Sequence, residues 1–169
     1  ALVEGVMDDE AGGAIAAFRS LVKCDSGDIL DPILMTGSTV LVDDDLSDRF
    51  LEAARAWIVE RELDIELRTR HEETYDVIVG RGKDWIPRYY SLMITEFFQQ
   101  GLTKCLIGTR GLLGEGWDAS KINVLVDLTT VTTSMSINQL RGRSMRLDKD
   151  WPEKVANNWD VVCLSLIHI

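Results

Sequence analysis

Residues 105–118 read CLIGTRGLLGEGWD, and this stretch decides the fold. A short apolar run leads into four glycines, and residues 123–128, NVLVDL, form a second apolar run after them. Strand, glycine-rich loop and strand in this order indicate an α/β fold, in which a loop at the C-terminal end of a parallel strand faces the ligand. Alternatively the glycines only permit tight turns, because they match neither the dinucleotide fingerprint nor a phosphate loop.

A helix is predicted downstream, where residues 139–146 read QLRGRSMR. At 100° per residue, four of its side chains fall within an arc of about 100°, namely Gln139, Gly142, Arg143 and Arg146. Ile137, Leu140 and Leu147 cluster on another side and are expected to face a core. Two guanidinium groups one turn apart, beside an amide and a glycine, suit a polyphosphate ligand. The alternative is a surface helix with solvated arginines.

Together the T-R-G-x-x-G-E-G-x-D loop and the Q-x-x-G-R-x-x-R helix resemble motifs V and VI of the superfamily 2 helicases and translocases, in the second of their two RecA-like domains. The resemblance covers residues 33–164, and residues 104–147 carry its specific motifs. It implies an α/β, RecA-like three-layer domain with a mostly parallel central sheet flanked by helices.

The resemblance also implies roles for individual residues. Arg143 and Arg146 correspond to arginine fingers that reach the γ-phosphate of ATP, and Gln139 to a side chain that bonds this phosphate or the attacking water. The positions that face the nucleotide are Gly114, Gly116, Asp118 and Gly142. Thr109 and Arg110 correspond to the part of motif V that contacts nucleic acid, and Glu115 is a candidate for coupling the two ligands.

Two further stretches are candidates for nucleic-acid contact. Thr36 and Gly37 follow an apolar run, where motif IV lies in the family, although an ordinary turn at the end of a strand is the alternative. Arg81 lies in the loop Gly80-Arg81-Gly82-Lys83, whose two cations suit a phosphate backbone but are also common in exposed loops.

The cofactors implied are ATP and Mg²⁺, bound mainly by a first RecA-like domain, since the sequence contains no G-x-x-x-x-G-K-[ST] loop. No metal ligand is predicted in this chain. The expected partners are that upstream domain and nucleic acid, with DNA favoured over RNA. The net charge of −10 is uneven, because residues 101–169 carry 8 basic and 7 acidic side chains. No membrane partner is expected, and a cytoplasmic location is predicted.

Regular elements are predicted from apolar spacing and from residues typical of helix ends. We expect helices over residues 8–22, from Asp43–Asp45 onward with these acids as a cap, and from an Asp84 cap to Gly101. Strands are expected over residues 33–36, 75–79 and 159–164. Cys24, Cys105 and Cys163 have no metal-ligand spacing and are predicted to be buried thiols.

The predicted domains are a helix and connector over residues 1–31, a RecA-like domain over residues 32–163, and residues 164–169. These last six, LSLIHI, match a translated sequencing adapter; the alternative is one buried strand over residues 161–169. The predicted function is the C-terminal half of an ATP-dependent helicase or translocase, inactive alone. The alternatives are a catalytically inactive scaffold module of the same fold and the motor part of a restriction enzyme.

Overall fold

The computed structural model describes residues 13–25, 27–113, 117–128 and 134–161. These residues form two compact units, which meet in the sequence between Trp117 and Asp118. The elements of the N-terminal unit are α1 (Ala14–Val22), α2 (Gly27–Leu30), β1 (Ile33–Met35), β2 (Val40–Asp43), α3 (Asp44–Glu60), β3 (Glu66–His71), β4 (Tyr75–Arg81), α4 (Pro87–Gln100), β5 (Leu106–Gly108) and α5 (Arg110–Leu113). The C-terminal unit has β6 (Val124–Asp127), α6 (Ser134–Ser144) and β7 (Asn157–Asp160).

The N-terminal unit contains a mixed sheet in the order β3-β4-β2-β1-β5. Only β1 and β5 pair in parallel, whereas β1 with β2, β2 with β4, and β3 with β4 are antiparallel. The expectation of a mostly parallel sheet is therefore wrong for these five strands. The physical reason is the length of two connections, residues 36–39 and 72–74, which are too short for the crossover that parallel neighbours need.

Three strands of this mixed sheet nevertheless run in one direction. Because β2 is antiparallel to both β1 and β4, these two strands are parallel to each other, and β5 follows β1. Their C-terminal ends therefore lie at the same edge of the sheet, which we call the Thr36 end; it carries Thr36, Gly37, Arg81 and Thr109. The opposite edge, where β2 ends beside Pro32, is called the Asp43 end.

Helices cover both faces of this sheet, as predicted for a three-layer α/β unit. Alternate residues of the central strands face α3 and α4, where Ile33, Met35, Val40 and Val42 join the larger core. The intervening residues face α1, whose Phe18 meets Tyr75 edge-on at 5.6 Å. The predicted N-terminal helix, assigned to a connector, thus packs as a layer of the same unit.

The ends of the long helices agree only in part with those predicted from the sequence. Gly101 ends α4 at φ 83° and donates its N–H to the carbonyl oxygens of Phe97 and Phe98, as predicted. Asp84 does not cap α4, because the N-cap is Ile86 and the Asp84 carboxylate instead accepts the backbone N–H of Asp64 at 2.9 Å. Asp43 occupies the N-cap of α3 without a side-chain capping bond.

The C-terminal unit is built on two parallel strands, with Val126 opposite Trp159. The strand predicted over residues 159–164 is β7, which begins earlier, at Asn157, and ends at Asp160; residues 162–169 lie outside the described part. Helix α6 ends at Ser144, so the expectation that Arg146 and Leu147 belong to it is wrong. Leu147 is 91% exposed and faces no core.

Two remaining expectations concern membranes and thiols. Among the described residues, no helix has the length and apolar character needed to span a bilayer. The prediction that the thiols are buried is wrong for Cys24, which is exposed, while burial raises the pKa of Cys105 to about 11. Cys163 lies outside the described residues.

Candidate functional site

Thr36 and Thr109 leave the sheet as neighbours. Met35 pairs with Gly108 in the parallel register of β1 and β5, so the residues that follow them start about 5 Å apart, which is the spacing of adjacent strands. The sequence placed both residues at a nucleic-acid contact without any information on their distance. Their common position at the Thr36 end makes a shared ligand geometrically feasible.

The side chains of these two threonines differ in what they already bind. The Thr36 hydroxyl oxygen accepts the backbone N–H groups of Ser38 at 3.3 Å and Thr39 at 3.1 Å, so it stabilises the hairpin turn. The turn is also fixed from α4, because the Tyr90 hydroxyl donates to the Thr36 carbonyl oxygen at 2.6 Å. Thr109 is exposed, and a Cβ added to the neighbouring exposed Gly37 would meet nothing within 4 Å. Thr109 and the backbone at Gly37 are thus the more accessible groups.

The start of the glycine-rich loop is anchored in the core. Leu112 and Leu113 of α5 pack against the larger core, and Gly108 makes room for Leu113. A Cβ on Gly108 would lie 2.7 Å from Leu113 Cδ1 and 3.3 Å from the Met35 carbonyl oxygen. The structural role of this glycine is therefore close packing, while Gly111, whose added Cβ would meet only Thr109 Oγ1 at 4.0 Å, borders open space.

The far end of the same loop is tied to α4. The indole N–H of Trp117 donates to Thr95 Oγ1 at 2.7 Å, and the Thr95 hydroxyl donates to the Ser91 carbonyl oxygen at 2.5 Å. Sequence reasoning missed this anchor, although a tryptophan directly after a glycine-rich loop was a signal for it. Gly114, Glu115 and Gly116, predicted for nucleotide contact and coupling, lie outside the described residues, as does the side chain of Arg110.

Arg81 is the last residue of β4 and is exposed at the Thr36 end. It lies opposite Glu66 of β3. Arg68 chiefly, and Arg81 to a smaller extent, lower the pKa of the Glu66 carboxyl. Since β2 separates β4 from β1 and Arg81 extends two residues beyond the level of Thr36, Arg81 starts about 12 Å from Thr36. It therefore flanks the two threonines rather than sharing their position.

In the C-terminal unit, the two sequence motifs meet directly. The Arg146 guanidinium forms an ion pair with the Asp118 carboxylate, and their side chains are 45% and 68% exposed. The sequence predicted both residues for the same nucleotide but gave no reason for contact between them. Because the pair is open to solvent, it contributes at most about 1 kcal/mol to stability and can exchange partners readily.

Arg143 has a different environment from the one predicted. Its exposure is 9%, and burial chiefly, then the nearby charge of Arg146, lowers the pKa of its guanidinium, while Asp118 opposes this shift. The expected pair of exposed guanidinium groups one turn apart on α6 is thus wrong in geometry. Arg143 belongs to α6 and its side chain is buried, whereas Arg146 lies beyond the end of α6.

The other predicted positions on α6 remain accessible. Gln139 is exposed, Gly142 is half-buried, and a Cβ added to Gly142 would meet nothing within 4 Å. Arg141 forms an ion pair with Asp160 of β7. The Ser144 hydroxyl donates to Asn158 Oδ1 at 2.7 Å and adds a second link between α6 and β7.

A polar network that sequence reasoning missed surrounds Arg146. The Lys154 ammonium donates to the carbonyl oxygens of Ser120 at 2.5 Å and Arg146 at 2.7 Å. The Ser120 hydroxyl donates to Asp148 Oδ2 at 2.5 Å, and Asp148 Oδ1 accepts the backbone N–H of Asp150 at 2.8 Å. These bonds connect the segment after the glycine-rich loop with the segment after α6. Lone Lys, Ser and Asp residues gave no sequence signal for it.

Within the described ranges, no cluster of three or more His, Cys, Asp or Glu side chains is arranged to hold a metal ion. In the C-terminal unit, the Arg146 guanidinium, which is paired with Asp118, and the exposed amide of Gln139 are groups that suit an anion. Comparison with protein-family models, with curated proteins and with solved structures finds no match to this chain.

Proposed function

We propose that this chain is the second RecA-like domain of an ATP-dependent superfamily 2 helicase or translocase. The observation that carries the proposal is the ion pair between Asp118 and Arg146, because it joins the last residue of the motif V pattern to the last arginine of the motif VI pattern. The resemblance implies that both patterns face the same nucleotide, although they share no residues. A ligand shared by the two patterns requires that they lie close together, which supports the proposal.

The N-terminal unit supports the nucleic-acid half of the proposal. Thr109 is exposed beside the Thr36 turn, and Arg81 flanks both at the same end of the sheet. Hydroxyl groups, backbone N–H groups and single cations are the usual ligands of a phosphate backbone, and they carry no sequence preference. We therefore propose a backbone contact at the Thr36 end.

ATP, bound with Mg²⁺ on a first RecA-like domain that this sequence does not contain, would supply the phosphoryl group that is transferred to water. Arg146 is the proposed arginine finger, since its guanidinium is half-exposed and the paired N–H donors that contact the Asp118 carboxylate also suit phosphate oxygens. Arg143 is buried beside it, and because a guanidinium is not deprotonated in proteins, its charge favours a phosphate nearby. Gln139 would donate its amide to the same phosphate.

The test is nucleic-acid-stimulated ATP hydrolysis by a protein that contains this chain together with its upstream domain. We expect hydrolysis to be low without nucleic acid and to rise when single-stranded or duplex DNA is added. Arg146→Ala should abolish most of the rise, while Arg55→Ala, which removes an exposed arginine of α3, serves as the control. Equal stimulation in the Arg146→Ala variant would overturn the proposal.

A second candidate function is a catalytically inactive scaffold module of the same fold. The burial of Arg143 favours it, because a buried guanidinium cannot reach a nucleotide without a rearrangement. The same assay separates the two candidates. A scaffold binds nucleic acid or protein with no hydrolysis of ATP, whatever residue stands at position 146.

A further inference from the structure

The position of Arg146 is not fixed by regular secondary structure. It lies two residues after the end of α6, and its neighbours Met145 and Leu147 are 60% and 91% exposed. Neither neighbour therefore anchors this segment through a core. The direction of the Arg146 side chain must depend on the polar bonds that hold its backbone.

Two hydrogen bonds hold the backbone of Arg146, one through its N–H and one through its carbonyl oxygen. Its N–H donates to the Arg143 carbonyl oxygen at 3.2 Å, which continues the last turn of α6. Its own carbonyl oxygen accepts the Lys154 ammonium at 2.7 Å. The second bond comes from a residue eight positions further along the chain, so it sets the course of the segment after the helix.

Lys154 also reaches the segment that carries Asp118. Its ammonium donates to the Ser120 carbonyl oxygen at 2.5 Å, two residues after Asp118. Asp148 holds the Ser120 hydroxyl at 2.5 Å and so steadies this acceptor. One ammonium group thus bonds the backbone of Arg146 itself and the backbone two residues after Asp118, its ion-pair partner.

The environment of Lys154 fits this role. Burial lowers the pKa of its ammonium, while the charge of Asp148 opposes the shift. A half-buried ammonium that donates to two carbonyl oxygens makes charge-assisted hydrogen bonds, which are stronger than neutral ones. Lys149 lies on the same segment but is exposed to solvent, and it makes no such bond to the described residues.

We propose that Lys154 is a positioning residue: its ammonium, bonded to the carbonyl oxygens of Ser120 and Arg146, places the Arg146 guanidinium against Asp118 and at the proposed nucleotide site. The catalytic part of this inference rests on the proposed function. The positioning part does not, because it concerns only contacts between residues of this chain.

The first experiment uses the whole 169-residue chain, labelled with ¹⁵N and ¹³C. Scalar couplings across hydrogen bonds are expected between Lys154 Nζ and the carbonyl carbons of Ser120 and Arg146. This measurement needs no variant, so it does not depend on the folding of a mutant. Detection of the Lys154 ammonium without either coupling would overturn the proposal.

The second experiment follows the Arg146 Nε–Hε signal in variants of the same chain. Asp118→Asn defines the position of this signal when the ion pair is lost. Lys154→Met should move the signal toward that position, Lys154→Arg should restore it, and Lys149→Met should leave it at the wild-type position. A folded Lys154→Met variant with the wild-type Arg146 signal contradicts the proposal.

The third experiment measures ATP hydrolysis in the protein that includes the upstream domain. Lys154→Met should lower kcat by about 10-fold to 100-fold with KM for ATP unchanged, because misplacement of a catalytic group by about 1 Å costs this much. Lys154→Arg should recover most of kcat. Unchanged hydrolysis in Arg146→Ala would refute the proposed function alone, and the two magnetic-resonance experiments would still decide the positioning role.

Discussion

Met35 and Gly108 face each other in the parallel register of β1 and β5, and the Cβ that Gly108 lacks would lie 3.3 Å from the Met35 carbonyl oxygen. This pairing brings the Thr36 turn beside Thr109. The missing side chain of Gly108 also leaves room for Leu113 of α5 to pack against the core. The close approach of two strands thus positions the proposed nucleic-acid contact.

Gly108→Ala should destabilise the chain by about 1–3 kcal/mol, the usual cost of overpacking, because the new methyl group would lie 2.8 Å from Leu113 Cγ and 3.3 Å from the Met35 carbonyl oxygen. Gly142→Ala is the matched control, since its added Cβ meets nothing within 4 Å and alanine favours a helix interior by up to about 1 kcal/mol. Urea unfolding measures both. Equal stabilities of the two variants would refute the packing role of Gly108.

Thr109→Val removes an exposed hydroxyl while it keeps the β-branched shape. If the hydroxyl donates to a phosphate oxygen, the affinity for DNA should fall by about threefold to tenfold, which corresponds to one hydrogen bond of about 1 kcal/mol. Thr69→Val, at an exposed position of β3, is the control. Fluorescence anisotropy with a labelled oligonucleotide measures the affinity. The same affinity in both variants would remove Thr109 from the contact.

Arg146→Ala in the protein with its upstream domain should reduce stimulated ATP hydrolysis by about 10³-fold or more, the range for arginine fingers. Affinity for nucleic acid should stay within about twofold, because the proposed DNA contacts lie in the other unit. Arg146→Lys should not restore hydrolysis, since an ammonium lacks the paired donors of a guanidinium. Hydrolysis near that of the wild type in Arg146→Lys would show that charge alone is sufficient.

The raised pKa of Asp43 should make the stability of the chain depend on pH. Its side chain is buried at 3% exposure with Oδ2 unbonded among the described residues, and burial first, then Asp44, raises its pKa from 3.8 to about 7. A raised pKa in the folded state means that the associated stability is complete below pH 3.8 and is lost as the pH rises through 7. The loss is on the order of a few kcal/mol above pH 7.

Asp43→Asn should remove this dependence, because an amide does not ionise. Its free energy of unfolding, measured with urea at several pH values, should exceed that of the wild type increasingly between pH 4 and 8. Asp48→Asn, at an exposed position of α3, should follow the wild type. A constant difference between Asp43→Asn and the wild type at all these pH values would contradict the assignment.

The sequence predicted the elements whose periodicity is strong and whose ends carry clear residues. The strand at Ile33, the helix that begins after Asp43 and the helix that ends at Gly101 are all present. It did not predict β2 and β3 as strands. The signal was available in the short links at residues 36–39 and 72–74, because so few residues allow only an antiparallel return.

The roles assigned to the residues of the candidate site stay predictions, and the geometry expected for Arg143 and Arg146 was wrong. Helical spacing placed Arg143 and Arg146 on one exposed face, since periodicity carries no information on where a helix ends or which arginine is buried. The bonds of Ser144 to Asn158 and of Lys154 to two carbonyl oxygens are tertiary. No local pattern of residues predicts such contacts, and they decide where Arg146 lies.

The Asp43 end has a consequence for how this chain would encounter a polyanion. Asp28, Asp44 and Asp45 lie close enough to Asp43 to raise its pKa, and Asp31 lies two residues before the start of β1 at the same edge. Negative potential there repels a nucleic acid approaching from that side, so productive collisions would occur in one orientation, with the Thr36 end leading. If the chain binds nucleic acid as proposed, this uneven charge would orient the encounter, and the association rate would depend on ionic strength.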